Sequence, residues 1–168
     1  MHRAKPLILT VDDDTTIHKL IERYVVANNC DVICAESGEA ALTSVAESKP
    51  DLILLDVMMP GMDGYQVCAK LQQNQETAYI PTIFLSALGE EKDKARALSA
   101  GAVDYLTKPF QKSHLIDKIN QHLKTRTQWK DLSQVNRAAA APGTSTSNFK
   151  QFKEYLLSQI TLTPHDRE

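Results

Sequence analysis

The sequence predicts an α/β fold, a parallel sheet with helices on both faces, and three observations carry that expectation. Five short apolar runs of strand length alternate with five stretches of helical periodicity, and such alternation builds a parallel sheet through right-handed crossovers. The central run, Leu52-Ile53-Leu54-Leu55-Asp56, is apolar at every position before its acid, as a strand buried on both faces must be. The polar residues that stand out fall where a run gives way to its loop, the rim at which open α/β sheets bind ligands.

Leu7-Ile8-Leu9-Thr10-Val11 is the first run and stops at Asp12-Asp13-Asp14. Ile17, Leu20, Ile21, Tyr24 and Val25 then recur at helical spacing behind Asp14 or Thr15 as N-cap. Asp31 to Ala35 is a weaker strand signal, Ser37-Gly38 a turn, and Ala40, Ala41, Leu42 and Val45 a short helix ended by Lys49-Pro50. The Asp56 run is the third strand, and beyond the Pro60 to Gly64 loop Val67 and Leu71 mark a third helix. Ile80 to Ser86 is the fourth strand, with Pro81 tolerable among its first residues. Glu90 to Ala100 has helix-forming composition, with Gly101 as its C-cap. Val103 to Thr107 is the fifth strand and runs into Lys108-Pro109-Phe110; Leu115, Ile116, Ile119 and Leu123 make the fifth helix. Five such units favour the flavodoxin-like, doubly wound (βα)5 sheet of order 2-1-3-4-5, which sets the first strand beside the third.

At 168 residues the chain suits one domain plus an appendage, since domains cluster near roughly 100 to 150 residues. The expected division is a domain over 1–125, a helical extension and linker over 126–148, and an amphipathic helix with the start of an output region over 149–168. A hydrophobic share of 42% and a formal charge of −2 belong to a soluble globular protein and carry no basic excess that would point to nucleic acid. Cys30, Cys34 and Cys68 form no C-x-x-C pair and read as reduced thiols rather than a zinc site or disulfide framework. The apolar run after Pro6 is shorter than a signal-peptide core, and no stretch approaches the ~20 apolar residues of a membrane span. A cytoplasmic protein with no membrane partner is expected.

Asp12 and Asp13 follow the first strand, Asp56 ends the third, Ser86 ends the fourth and Lys108 follows the fifth. Alone, Asp56 reads equally as a cap for the next helix or as a ligand-site acid; its company at the rim favours the second. Three carboxylates gathered there raise one another's pKa unless a cation neutralises them. An all-oxygen set with room for water suits Mg²⁺, which can orient and neutralise a phosphoryl group. Lys108 adds a fixed positive charge, and the Ser86 hydroxyl a hydrogen bond to a phosphoryl oxygen. One carboxylate can then act as nucleophile and become an aspartyl phosphate. Asp56 is best placed, between the strand that brings the acid pair and those that bring Ser86 and Lys108.

Asp12-Asp13, the segment Leu55-Asp56-Val57-Met58-Met59-Pro60-Gly61-Met62-Asp63-Gly64, Ser86-Ala87, and Gly101-Ala102-Val103-Asp104-Tyr105-Leu106-Thr107-Lys108-Pro109-Phe110 resemble, in order and spacing over residues 5–125, the receiver domain of two-component response regulators. The resemblance implies a bacterial phosphorelay switch that is no enzyme beyond catalysing its own phosphorylation and dephosphorylation. It implies that Asp56 takes phosphate from a phosphohistidine on a sensor histidine kinase or histidine phosphotransfer protein. It implies Mg²⁺, with Mn²⁺ able to substitute, ligated by Asp13, Asp56 and the backbone carbonyl of Met58, with Asp12 acting through water. Lys108-Pro109 is then expected to be a cis peptide, an isomer found at ~5% of X-Pro bonds. Ser86 stands where Thr is common and keeps the hydroxyl. Tyr105 matches the family's switch aromatic, the plainer reading being an amphipathic ring at a sheet edge.

On that reading phosphate draws Ser86 inward and Tyr105 rotates into the vacated space. The face of the fourth helix, fifth strand and fifth helix is remodelled as a population shift, and could join two copies. Met58 and Leu88, two residues after Asp56 and Ser86, stand where relatives are often polar and are expected to exclude water and lengthen the phosphoryl lifetime.

His18, His114 and His122 share no metal spacing and read as surface or packing residues; Met58, Met59 and Met62 read as cover for the site loop. Beyond Leu123 the fifth helix can continue through Trp129, Leu132 and Val135 or Asn136, as a solvated extension or a dimer-forming signalling helix. Ala138 to Ser147 has linker composition, with Pro142-Gly143 ending any helix. Phe149, Phe152, Leu156, Leu157 and Ile160 give one amphipathic face, and Thr163-Pro164-His165-Asp166 opens another helix, which suggests a chain cut inside an output domain. Leu162-Thr163-Pro164 is faintly similar to the opening of some helix-turn-helix outputs, so DNA is expected as a partner only through that missing region; cyclase and phosphodiesterase outputs stay open.

Two rivals differ in their use of the acids. A haloacid-dehalogenase-type phosphatase would use Asp12, Asp14 and Thr16 as D-x-D-x-T, leaving Asp56 and the Pro60 to Gly64 loop without a role. A receiver-like interaction module that takes no phosphate would have lost the acceptor, the acid pair or the lysine, and all are present.

Overall fold

The computed structural model describes residues 3–139 and Glu154, with backbone alone for residues 129, 130 and 132–139. In chain order the elements are β1 (Leu7–Val11), α1 (Thr15–Ala27), β2 (Asp31–Ala35), α2 (Gly38–Ser48), β3 (Leu52–Asp56), α3 (Gly64–Gln73), β4 (Thr82–Ser86), α4 (Glu91–Ser99), β5 (Asp104–Thr107) and α5 (Lys112–Ala139). The five strands form one parallel sheet in the order β2-β1-β3-β4-β5, the order that strict alternation predicts.

All five residues of β1, β3 and β4 are buried, because each has a strand on either side and helices above and below. The edge strand β2 is exposed or partly exposed at its first four residues, which is why its apolar signal is weak. Register partners share a face of a parallel sheet, and Val11, Leu55, Phe84 and Tyr105 pair in one row across it. That row packs under Val45 of α2, Val67 of α3 and Ala97 of α4. Ile8, Leu54 and Leu85 alternate onto the opposite face and are equally buried, each such side chain contributing about 1.5–3 kcal/mol.

Local chemistry starts the helices where the sequence signals them. Asp14 caps α1, accepting from the Thr16 N–H at 2.8 Å, and Ser37 caps α2 through the Ala40 N–H at 3.1 Å. Asp63 and Gln66 form a reciprocal capping box on α3, at 2.9 and 3.0 Å.

The boundaries depart from expectation in four places. β4 begins at Thr82 rather than Ile80, because Pro81 has no N–H and gives the ladder only its carbonyl, 2.9 Å from the Ile53 nitrogen. β5 begins at Asp104, one residue after Val103. The C-cap of α4 is Ala100, and Gly101 follows it at φ +107°; the Gly101 and Ala102 N–H groups reach back to Leu98 and Ala97, each at 3.1 Å, closing a Schellman turn. Ala138 and Ala139, linker by composition, are the last residues of α5, as befits the best helix former.

Met1–Leu123 is one compact unit; of the second, Lys124–Glu168, the described part is the rest of α5 and Glu154. The linker after Ala139, the Phe149 to Ile160 face and the Thr163 helix opening lie outside the described residues. Among the described residues no helix is long and apolar enough to cross a membrane.

Candidate functional site at the carboxyl rim of the sheet

Parallel register brings the expected residues to one rim. Val11 pairs with Leu55, Asp56 with Leu85 and Ser86 with Thr107, so Asp12, Asp56, Ser86 and Lys108 stand at neighbouring strand ends. Carboxylate oxygens of Asp12, Asp13 and Asp56 lie within 4.8 Å of one another. Asp12 and Asp56 are buried and Asp13 is exposed. The Lys108 ammonium reaches across, 2.6 Å from Asp12 Oδ2 and 3.6 Å from Asp56 Oδ1, closer to the acid of the pair than to Asp56.

The backbone fixes these side chains. Asp12 Oδ1 accepts from the Asp14 N–H at 2.9 Å and Asp56 Oδ1 from the Met58 N–H at 3.4 Å. The Lys108 N–H donates to the Ser86 carbonyl at 2.7 Å, and the Lys108-Pro109 peptide bond is cis. Gly64 lets α3 start against this rim: a Cβ there would stand 2.2 Å from the Asp56 carbonyl oxygen and 2.9 Å from Phe84 Cε1.

Burial pushes the Asp56 carboxyl up to about 6, and the Asp12 charge adds to it, while Lys108 and the Met58 N–H pull the other way and Asp13 raises it again. Three carboxylates thus face one ammonium, an arrangement short of positive charge. Donors that are all oxygen, one of them exposed and open to solvent, fit a hard cation that keeps part of its water shell, as Mg²⁺ does.

Ser86 is fully buried, and its Oγ accepts from the Leu88 N–H at 3.1 Å. Tyr105 is buried as well, its hydroxyl donating to the Leu88 carbonyl. Leu88 therefore ties the serine to the tyrosine through its main chain, a link with no signature in the sequence. Met58 and Leu88 themselves are exposed, at 65% and 36%, whereas Met59 is buried and Met62 packs against the core.

Three residues stand apart from the acid cluster. Asp14 is exposed at the start of α1, the Thr16 N–H holding its carboxyl below the usual range. His18 is buried in α1. His122 is buried in α5, its Nε2 2.8 Å from Asp104 Oδ2, while Lys118 Nζ stands 2.8 Å from Asp104 Oδ1.

A five-stranded parallel sheet of order 2-1-3-4-5 whose carboxyl rim gathers three acids, a buried hydroxyl and a lysine defines the receiver class of α/β signalling domains. Residues 8–120 match the family model described as the response regulator receiver domain, and the chain belongs to that family, as part of a two-component system. Such domains are in general signalling modules rather than enzymes. Protein PilG of Pseudomonas aeruginosa is 38% identical over 120 residues, 71% of this chain and 89% of PilG. The transcriptional regulatory protein PhoP of Bacillus subtilis is 34% identical over 161 residues, 96% of this chain and 62% of PhoP. The receiver domain of Francisella response regulator 1452 superposes with TM-score 0.68 at 35% identity, over 71% of this chain and 98% of that one. The chain spans about half the length of several matched transcriptional regulators, 49% for RpaA of Synechocystis. These comparisons lend nothing to a phosphatase.

Proposed function

We propose that the chain is a phosphorylation-controlled switch in which Asp56 accepts a phosphoryl group from a phosphohistidine on a sensor histidine kinase or a histidine phosphotransfer protein. The observation that supports it best is the gathering of Asp12, Asp13 and Asp56 oxygens within 4.8 Å, with Lys108 Nζ 3.6 Å from Asp56. An Asp56 oxygen attacks phosphorus, a P–O bond forms as the P–N bond breaks, and the released imidazole takes a proton from water. Asp13, Asp56 and the Met58 carbonyl would hold Mg²⁺ or Mn²⁺, with Asp12 acting through water, and the ion when bound would supply charge neutralisation and orientation of the phosphoryl oxygens. Lys108 spans Asp12 and Asp56 and is positioned to swing its charge onto the incoming group. Ser86 accepts from Leu88 and keeps its O–H to donate to a phosphoryl oxygen.

The same Leu88 carries the signal outward. Drawing Ser86 toward phosphate shifts the loop whose carbonyl holds the Tyr105 hydroxyl. Because the Tyr105 ring is already buried, the hydroxyl's partner is what changes, rather than the ring's exposure. The α4-β5-α5 face is then remodelled, to meet an output segment, a partner or a second copy in the cytoplasm. Residues 1–125 form the switch, 126–148 an extension and linker, and 149–168 belong to an output region. DNA is reached through that region, a view supported by the names of RpaA and PhoP and by the length of the PhoP match.

The test is intact-protein mass after incubation with acetyl phosphate and Mg²⁺. One added phosphoryl group, dependent on Mg²⁺ and absent from Asp56→Asn, is the expected result; no gain in mass would overturn the proposal.

A further inference from the structure

α4 is the helix with least to hold it. It buries a single residue, Ala97, where α1 and α2 bury three each and α3 five. Its N-cap residue, Glu90, makes no side-chain cap bond, and Leu98 is left 42% exposed. Its mean composition is that of a surface helix, with Glu91, Lys92, Asp93, Lys94 and Arg96 in nine residues.

One contact compensates. The Arg96 guanidinium carbon stands 4.0 Å from the centroid of the Tyr65 ring, close enough for a cation–π contact. Tyr65 is buried in the first turn of α3, next to Gly64, and its ring lies 5.3 Å from that of Phe84 at an interplanar angle of 52°. Both neighbours belong to the acceptor site's frame, since a Cβ at Gly64 would meet the Asp56 carbonyl and Phe84 precedes Ser86 by two residues in β4. The Tyr65 hydroxyl is buried with no hydrogen-bond partner among the described residues, so the ring, not the phenol, makes the contact.

We propose that the Arg96–Tyr65 stack is the tether that holds α4 to the start of α3, beside the acceptor, and sets how readily the site reaches its phosphorylated arrangement. The second half of that statement rests on Asp56 as acceptor. Tyr105 holds the loop before α4 and Tyr65 the helix's last turn, so release of α4 needs both to yield. A residue that tethers the unphosphorylated arrangement opposes phosphorylation by the free energy of its contact.

Two readouts on the full chain separate the parts. Hydrogen exchange in the absence of phosphate reports the tether: α4 amides should exchange about 2- to 5-fold faster in Arg96→Gln, the range of a partly exposed cation–π contact, with α3 and α5 unchanged. Arg96→Lys should recover part of the protection, and Tyr65→Phe should match the parent. Tyr65→Leu should behave as Arg96→Gln; if it fails to fold, the exposed Arg96 position still decides. Unchanged α4 exchange in Arg96→Gln would overturn the tether. The second readout is the initial rate of phosphoryl gain from acetyl phosphate, which should rise by the same factor in Arg96→Gln. Faster α4 exchange with an unchanged rate would overturn the coupling to phosphorylation, and absence of labelling in the parent itself would overturn the acceptor reading while leaving the tether to be judged by exchange.

Discussion

Asp104→Asn removes the charge that binds β5 to α5, and its cost can be worked from the contacts. Lys118 Nζ and His122 Nε2 each stand 2.8 Å from a different oxygen of Asp104. The Lys118 pair is partly exposed, at 30% and 21% of the side chains, and is worth about 0.5 kcal/mol. The His122 side chain is 3% exposed, and loss of its charge-assisted bond costs about 1.5 kcal/mol. The sum, about 2 kcal/mol, should lower the urea midpoint by about 1 M for an m-value near 2 kcal/mol/M.

The pH dependence has a definite sign. Burial alone would push the Asp104 carboxyl up, but the bond from His122 and the Lys118 charge outweigh it and hold the group below 3.8. A carboxyl whose folded value is depressed contributes stability that is fully present above its unfolded value and lost as pH falls through the folded one. The gap between parent and Asp104→Asn should therefore be widest near pH 7 and narrow toward pH 3. Urea titrations at both pH values check this; no gap at pH 7, or an equal gap at pH 3, would refute the reasoning.

Gly64→Ala should destabilise the fold by about 1–3 kcal/mol or more, read as a lower urea midpoint, because its Cβ would stand 2.2 Å from the Asp56 carbonyl oxygen, a main-chain atom. Asp13→Asn should weaken Mg²⁺ binding at least about tenfold, the low end even for an outer-sphere partner, as measured by calorimetric titration; equal affinity would remove Asp13 from the ligand set. Met58→Asn with Leu88→Glu should speed loss of the phosphoryl mass, and an unchanged decay rate would show that two side chains exposed at 65% and 36% do not keep water from the site.

What could be read from the sequence was what a strand cannot conceal. β1 and β3 are buried on both faces and must be apolar throughout, so their ends, and with them Asp12 and Asp56, stand out against the run. β2 is an edge strand, free to carry polar residues, and its signal is correspondingly faint. Pro81 displaced only the boundary of β4, since a residue without an N–H can give a ladder its carbonyl and still precede the strand. The Tyr105 hydroxyl bonds a main-chain carbonyl, which every residue has and none advertises. Arg96 meets Tyr65, and His122 meets Asp104, through the rotation of whole helices about their axes. His122 read as a surface or packing residue because its helical spacing gave its face but not the acid opposite.

The strand order itself explains why the response should leave from one side. In the order β2-β1-β3-β4-β5 the acids sit on β1 and β3, and the hydroxyl and lysine on β4 and β5. On the proposed reading a phosphoryl group on Asp56 would meet the acid pair from the β1 side and movable contacts from the β4 side. Asp12 and Asp56 each accept from a backbone N–H of their own loop, so that side has little freedom to move. On the other side Ser86, Leu88 and Tyr105 form a chain of single hydrogen bonds leading to α4, which buries one residue. A perturbation shared between a stiff flank and a compliant one displaces the compliant one, so on the proposed reading the response would leave by the α4-β5-α5 face.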